Sequence, residues 1–250
     1  MIRPAHILPI GRQKRYADMH MALTHLVESA GNEYNKFFMG LPDDDYIMLD
    51  NSVIELGEAV SLNRLINAAK IINADEIVIP DAYKNKDETL RLLYKYLEEL
   101  EGKDLPYKIQ VVPHGKNANE WMDCYNEVRR IDEVDVIGIP KVTTSIFPGG
   151  RAYLTTLLDR LGVATPNKEY HLLGVWNNPI ELDYVSRYNW IRSVDSAITY
   201  ACGVNGIRFD EQVGTQRPDD LEWSFYDDTS VNQHIIEHNI EMMGRWCQYE

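Results

Sequence analysis

"YIMLDNSVIELG", residues 46–57, runs apolar through Leu49 and then turns polar at Asp50, Asn51 and Ser52. Turn chemistry favours such short polar side chains, so the segment reads as a strand that ends in a loop. The same cadence recurs along the chain. Apolar, branched runs stand at 6–10, 46–49, 76–80, 108–112, 135–140, 171–175 and 190–194. Between them, apolar residues at helical three-and-four spacing fill 16–29, 58–72, 87–101, 117–131, 151–162 and 179–188. "NKFFMG", 35–40, supplies an eighth short strand.

Near-continuous apolar strands separated by helices indicate a parallel sheet buried on both faces. Seven or eight such units before residue 200 predict an α/β fold, a compact (β/α)8 TIM-type barrel with an irregular or short strand. An open doubly wound sheet is the alternative. No linker, low-complexity tract or repeat divides the 250 residues, so 1–250 reads as one barrel domain ending in a C-terminal helix. No strand is followed by GxGxxG or GxxxxGK[ST], which argues against a dinucleotide or P-loop site.

The N-terminal apolar run is too short for a secretory signal, and no stretch of about eighteen apolar residues offers a membrane span. Cys124, Cys202 and Cys247 lie far apart without CxxC spacing, which predicts reduced thiols, a cytoplasmic protein and no cysteine zinc cluster. Lys and Arg number 25 against 39 Asp and Glu, a net charge of -14, so indiscriminate polyanion binding is disfavoured.

Each strand exits into chemistry. Gly11-Arg12-Gln13-Lys14-Arg15 follows the first, Asp50-Asn51-Ser52 the 46–49 run, and Asp81-Ala82-Tyr83 the next. Then come Pro113-His114-Gly115, Lys141, Trp176-Asn177-Asn178 and Asp195-Ser196. In a parallel barrel these exits share the C-terminal rim, where barrel enzymes keep their chemistry. Carboxylates gathered there suit double displacement at a sugar carbon: one attacks the anomeric centre while another handles the leaving-group proton. A carboxylate also accepts paired N–H donors from a purine-like base.

"YIMLDNS", "EIVIPDAY", "IQVVPHG", "VIGIPKV", "YHLLGVWNNPIELDYV" and "WIRSVDSA" resemble, in order and spacing, the successive strands of tRNA-guanine transglycosylases. They also resemble the shorter phage-type relatives that insert 7-deazaguanines of the queuine type into DNA. The likeness spans about residues 46–200, and its most specific part is "HLLGVWNNPIELDYV" followed by "SVDSA". It implies that Asp195 is the nucleophile on C1′ and Asp50 the general acid/base, with Asn51 and Ser52 lining the pocket. Asp81 would read the base edge. Gln110 or His114 would take the place of the base-binding glutamine, and Gly138 and Gly174 would lie on the base-contacting strands, with Lys141 and Ser196 beside them. The chemistry it implies requires no metal or other cofactor.

Departures narrow the reading. Val53-Ile54-Glu55 replaces the family's Gly-Gly-Phe-Gln, "IGIPKV" shortens its glycine-rich strand, and the cysteine zinc site is absent. Little more than 40 residues follow the nucleophile loop. The expected partners are therefore DNA rather than tRNA, together with a free deazapurine base. The alternatives are a nucleoside or nucleotide N-glycosidase using the same aspartates, and a non-catalytic binding barrel.

Three further readings come from the residues. Arg12, Lys14, Arg15, Lys84, Lys86, Lys116, Lys141 and Arg151 would form a basic mouth, while acids cluster at Glu98-Glu99-Glu101, Asp219-Asp220 and Asp227-Asp228. Trp176 and Tyr83 offer flat faces for a base, or pack the mouth. "HIIEH", 234–238, has the H-x-x-E-H pattern of inverted zinc peptidases, but structural or surface histidines are the favoured reading, as is a structural His171. The stripe at 235–246 reads as a helix docked on the core or a subunit contact.

Overall fold

Strong apolar runs buried on two faces leave little choice but a parallel sheet, and a computed structural model of the chain has one. It describes residues 1–29, 31–103, 105–176, 179–212, 221–226 and 232–249. Among these, eight strands occur: β1 (Arg3–His6), β2 (Met19–Leu23), β3 (Tyr46–Asp50), β4 (Glu76–Val78), β5 (Lys108–Val111), β6 (Val136–Pro140), β7 (Glu169–Leu173) and β8 (Ile191–Ser196). All pairs are parallel, in the order β1-β8-β7-β6-β5-β4-β3-β2. The two ends of that order, β1 and β2, pack against each other and nearly close the barrel. Arg3 spans this seam by donating from Nε to Asp18 Oδ1 at 3.1 Å. The (β/α)8 expectation holds, with a short β4, and the doubly wound alternative does not.

The helices are α1 (Thr24–Ser29), α2 (Gly31–Met39), α3 (Val53–Leu56), α4 (Leu62–Ile72), α5 (Lys86–Leu100), α6 (Ala118–Val128), α7 (Thr143–Ile146), α8 (Gly150–Arg160), α9 (Glu181–Val185), α10 (Ile198–Val204), α11 (Phe209–Gln212) and α12 (Gln233–Trp246). Their starts follow capping chemistry. Asn85 and Asn117 accept from the backbone N–H groups of Glu88 and Glu120, satisfying donors that the first turn leaves open.

Three expectations fail. The eighth strand is Met19–Leu23, not 35–40, so the helix expected over 16–29 is a strand followed by the short α1. All five β2 residues are buried, so no alternation betrays the strand, and its Met, Ala and Leu favour helix by propensity. Residues 35–39 instead continue α2, which buries Tyr34 and Phe38 one turn apart, with ring centroids 5.0 Å from each other. The first strand runs Arg3–His6 rather than over 6–10, because its partner β8 lies beside Arg3 to His6.

At the N-terminal end of the barrel, charge is paired around the buried Glu76. Arg192 donates from Nη1 to Glu76 Oε2 at 2.9 Å and also bonds Glu169, while Lys108 Nζ reaches Glu169 Oε1 at 2.6 Å. Tyr46 donates its hydroxyl to Glu76 at 2.7 Å. Arg192 gets there through a bulge: Tyr170 pairs with Ile191 but His171 pairs with Ser193, leaving Arg192 as the extra residue. A bulge breaks strict alternation, so neighbouring residues of β8 both turn inward.

The docked C-terminal helix is present. α12 buries Ile236, Asn239, Ile240 and Met243 and crosses α10 at Gly203, where an added Cβ would lie 2.3 Å from Ile236. No helix among the described residues is long and apolar enough to cross a membrane.

Candidate active site

The C-terminal ends of the strands surround a cavity of about 380 Å³. That volume lies within the range of small-molecule clefts. Asp50, Glu55, Asp81 and Asp195 line it, with His114 and Lys141. Apolar walls come from residues at the ends and exits of the strands, such as Leu23, Val78, Val112 and Leu173, and aromatic ones from Tyr83, Trp176, Trp223 and Phe225.

Asp195 sits near the end of β8, buried, with its side chain fixed from below. Its Oδ1 accepts from His171 Nε2 at 2.9 Å and from the Gly174 N–H at 3.0 Å. Gly174 makes that approach with φ +65°, in the left-handed region that suits glycine. Ser196, next along, donates to Val175 O at 2.5 Å and accepts from Ile198 N, so it holds the β7 exit and the start of α10 in place.

Asp50 closes β3. The Ser52 N–H donates to its Oδ2 at 2.6 Å. Burial pushes the Asp50 carboxyl well above the usual carboxylate range, and the nearby Glu55, Asp195 and Asp81 charges add to this more than the Ser52 amide offsets it. Burial and Asp195 likewise raise Glu55, against the pull of its own backbone hydrogen bond and of Lys141. Asp50 thus keeps its proton into conditions where an ordinary aspartate has lost it.

Asp81 accepts from His114 Nε2 at 3.0 Å on one oxygen and from Asn51 Nδ2 at 3.2 Å on the other. The Lys84 N–H donates to His114 Nδ1 at 3.3 Å, which leaves the proton on Nε2 facing Asp81. Asn51 spends its remaining groups on Ile79 O and the Val53 N–H, so it lines the cavity while it bridges β3 and β4. Ser52, at φ 59°, is fully buried and directs its hydroxyl to His25, behind the cavity wall.

Of the other expected residues, Tyr83, His114, Lys141, Gly174, Trp176 and Ser196 line the cavity. Lys141 lies over the Trp176 ring, 5.3 Å from its centroid, and Lys84 over Tyr83 at 5.2 Å. Gln110 and Gly138 lie below it in the barrel core. Neither amide atom of buried Gln110 has a hydrogen-bond partner, and a Cβ on Gly138 would sit 2.8 Å from Gln110 Nε2 and 2.2 Å from Leu173 Cδ1. Asn177, Asn178, Asp219, Asp220, Asp227 and Asp228 lie outside the described residues.

The basic mouth is smaller than expected. Arg15 forms a bidentate pair with Asp45, Lys14 pairs with Glu237, and Lys86 lies near Asp87 and Asp123. Arg151 is buried, donating to Ile139 O, Leu173 O and Glu181, so it braces the β6 and β7 ends rather than facing a ligand. In "HIIEH", His238 bonds Asp210 at 3.1 Å, and His234 is exposed. Among the described residues, no group of three or more His, Cys, Asp or Glu is placed to hold a metal ion.

Four residues in or beneath the cavity carry no site role in the sequence. Glu55 stood only as a departure from a motif, and His171 as a structural residue. Trp223 and Phe225 arrive from a segment with no periodic pattern; Trp223 approaches Trp176 with centroids 5.8 Å apart and Phe225 at 4.7 Å.

No family model and no curated protein matches this chain. Among solved structures, CdNal from Clostridium difficile, in complex with mannosamine, aligns with a TM-score of 0.45 and 9% identity over 80% of this chain and 71% of that one.

Proposed function

We propose that this protein is a base-exchange transglycosylase, replacing guanine in a polynucleotide, DNA in the first instance, with a 7-deazaguanine-type base. The observation that carries the reading is a pair of carboxyls in unlike surroundings on one cavity. Asp195 is gripped on Oδ1 by two N–H donors, and Asp50 is driven to hold its proton. A carboxyl held by N–H donors suits a nucleophile and one that keeps its proton suits an acid, so unlike surroundings can divide the two roles within one site.

The steps balance. Asp195 Oδ2 forms a bond to C1′ of the target nucleotide while the C1′–N bond to guanine breaks, and Asp50 gives its proton to the departing nitrogen. The incoming base then attacks C1′ through a ring nitrogen, gives that nitrogen's own proton to Asp50, which guanine's departure left ionised, and releases Asp195 as a carboxylate. Retention at C1′ follows from the two displacements. Asp81, oriented by His114 and Asn51, accepts N–H groups on the edge of the base, and Tyr83, Trp176 and Trp223 supply flat apolar faces. The preference for DNA draws on the cysteines, which are all buried and free and so offer no zinc module of the tRNA type.

Labelled guanine and 7-deazaguanine bases offered with duplex DNA, single-stranded DNA and tRNA test the proposal. Label entering one polymer with wild-type protein and none with Asp195→Asn is the expected result. Release of free base without uptake of label points to an N-glycosidase. Ligand binding unchanged by Asp195→Ala, with no turnover, points to a binding barrel.

A further inference from the structure

The nucleophile assigned above does not stand alone. Beneath it His171, fully buried, bonds Asp195 through Nε2 and Ser193 Oγ through Nδ1 at 2.7 Å. Ser193 Oγ accepts from Arg192 Nε at 3.1 Å, and Arg192 in turn is fixed by Glu76 and Glu169 at the far end of the barrel. A continuous hydrogen-bonded chain therefore runs from the floor of the barrel to the carboxylate at its mouth. It exists because the bulge at Arg192 lets Arg192, Ser193 and Asp195 all serve the interior from one strand.

The chain has a direction. A guanidinium only donates, so Ser193 receives the Arg192 N–H and has its own hydroxyl proton to give to His171 Nδ1. With Nδ1 accepting, the imidazole proton rests on Nε2 and points at Asp195 Oδ1. The opposite tautomer would aim a lone pair at the carboxylate.

We propose that His171 is the positioning residue of Asp195, set by the Arg192–Ser193 relay into the one tautomer that donates to it. This inference rests on the reading of Asp195 as nucleophile and adds what prepares it. When the sugar ester opens and charge returns to the carboxylate, the His171 and Gly174 N–H groups are already in place to receive it, as preorganised donors do at a developing oxyanion.

Two readouts test this. Long-range proton–nitrogen spectra of histidine-labelled protein, with the His171 signal identified by its loss in His171→Gln, report the tautomer directly. The expected spectrum has His171 protonated at Nε2 in wild-type protein and a gain of the Nδ1–H form in Ser193→Ala. Kinetically, His171→Phe slows base exchange by roughly 10²-fold or more with KM changed less than about threefold, and His171→Gln, which restores an N–H near the Nε2 position, recovers to within about tenfold of wild type.

An Nδ1–H wild-type signal, a folded His171→Phe exchanging at the wild-type rate, or a loss confined to KM overturns the proposal. Should His171→Phe not fold, Ser193→Ala removes only a hydroxyl and carries the kinetic test, with a loss of about tenfold expected and a full rate contradicting it. Should wild-type protein exchange no base with any polymer, the transglycosylase reading fails by itself. The spectra then decide the relay: an Nε2–H signal that shifts in Asp195→Asn supports it, and an Nδ1–H signal removes it.

Discussion

The two ends of the barrel hold the same kind of residue in opposite company. At the floor, Glu76 and Glu169 meet Arg192 and Lys108, within 3.2 Å at every contact. Burial alone would raise Glu169, but Lys108 and Arg192 more than offset it and hold its carboxyl below its ordinary range. At the mouth, Asp50 and Glu55 face other carboxylates and neutral donors, with Lys141 the cation that acts on Glu55, and both are pushed up. Paired charge at one end locks the strands; under-neutralised charge at the other is costly to keep and is what proton transfer needs.

Breaking the floor gives the largest expected loss of stability. Arg192→Met strands the fully buried Glu76 and costs about 3 to 5 kcal/mol in denaturant unfolding, and adding Glu76→Gln recovers a large part of it. If Arg192→Met alone is neutral, the floor is not a lock.

Breaking the mouth does the reverse. If Asp50 is the general acid of the proposed base exchange, Asp50→Asn lowers that exchange by roughly 10² to 10³-fold, while the fold gains stability. The sign follows from linkage: a carboxyl raised in the folded state contributes stability that is fully present below its unfolded value and lost as pH rises through its folded one. The melting temperature of Asp50→Asn therefore exceeds that of wild type at neutral and alkaline pH, and the gap closes in acid. On the proposed mechanism, exchange by the wild-type protein falls as pH rises through the raised Asp50 value. A variant destabilised at every pH contradicts the contrast.

Between the two ends lies the packing around Gly138. Gly138→Ala forces its Cβ against Leu173 Cδ1 and Gln110 Nε2 and costs about 1 to 3 kcal/mol, the usual penalty of an overfilled core. Because Leu173 also lines the cavity, the same change is expected to alter KM for the base proposed to enter there, whereas a floor variant is not.

Asp50, Asp81, His114 and Asp195 were legible in the sequence because each ends or follows an apolar run, and a parallel barrel sends all such ends to one rim. β2 was not, since Met19 to Leu23 is buried throughout and written in helix-favouring residues. His171 sits inside an apolar strand; only the β7–β8 register, with its bulge, brings it under Asp195. Trp223 and Phe225 reach the cavity from more than twenty-five residues beyond Asp195, a contact no local pattern encodes. Arg151 read as a rim cation because sequence gives position along a helix but not which face is buried.

The most direct measurement is a trap for the aspartyl-sugar intermediate that the proposed exchange requires. Protein incubated with the polymer that takes up label, in the absence of any incoming base, is quenched in acid and mapped by peptide mass spectrometry. Sugar-linked mass is expected on the peptide that contains Asp195, absent from Asp195→Asn and discharged when base is added before the quench. Guanine released by folded protein with the adduct on Asp50, or with no adduct at all, would contradict it.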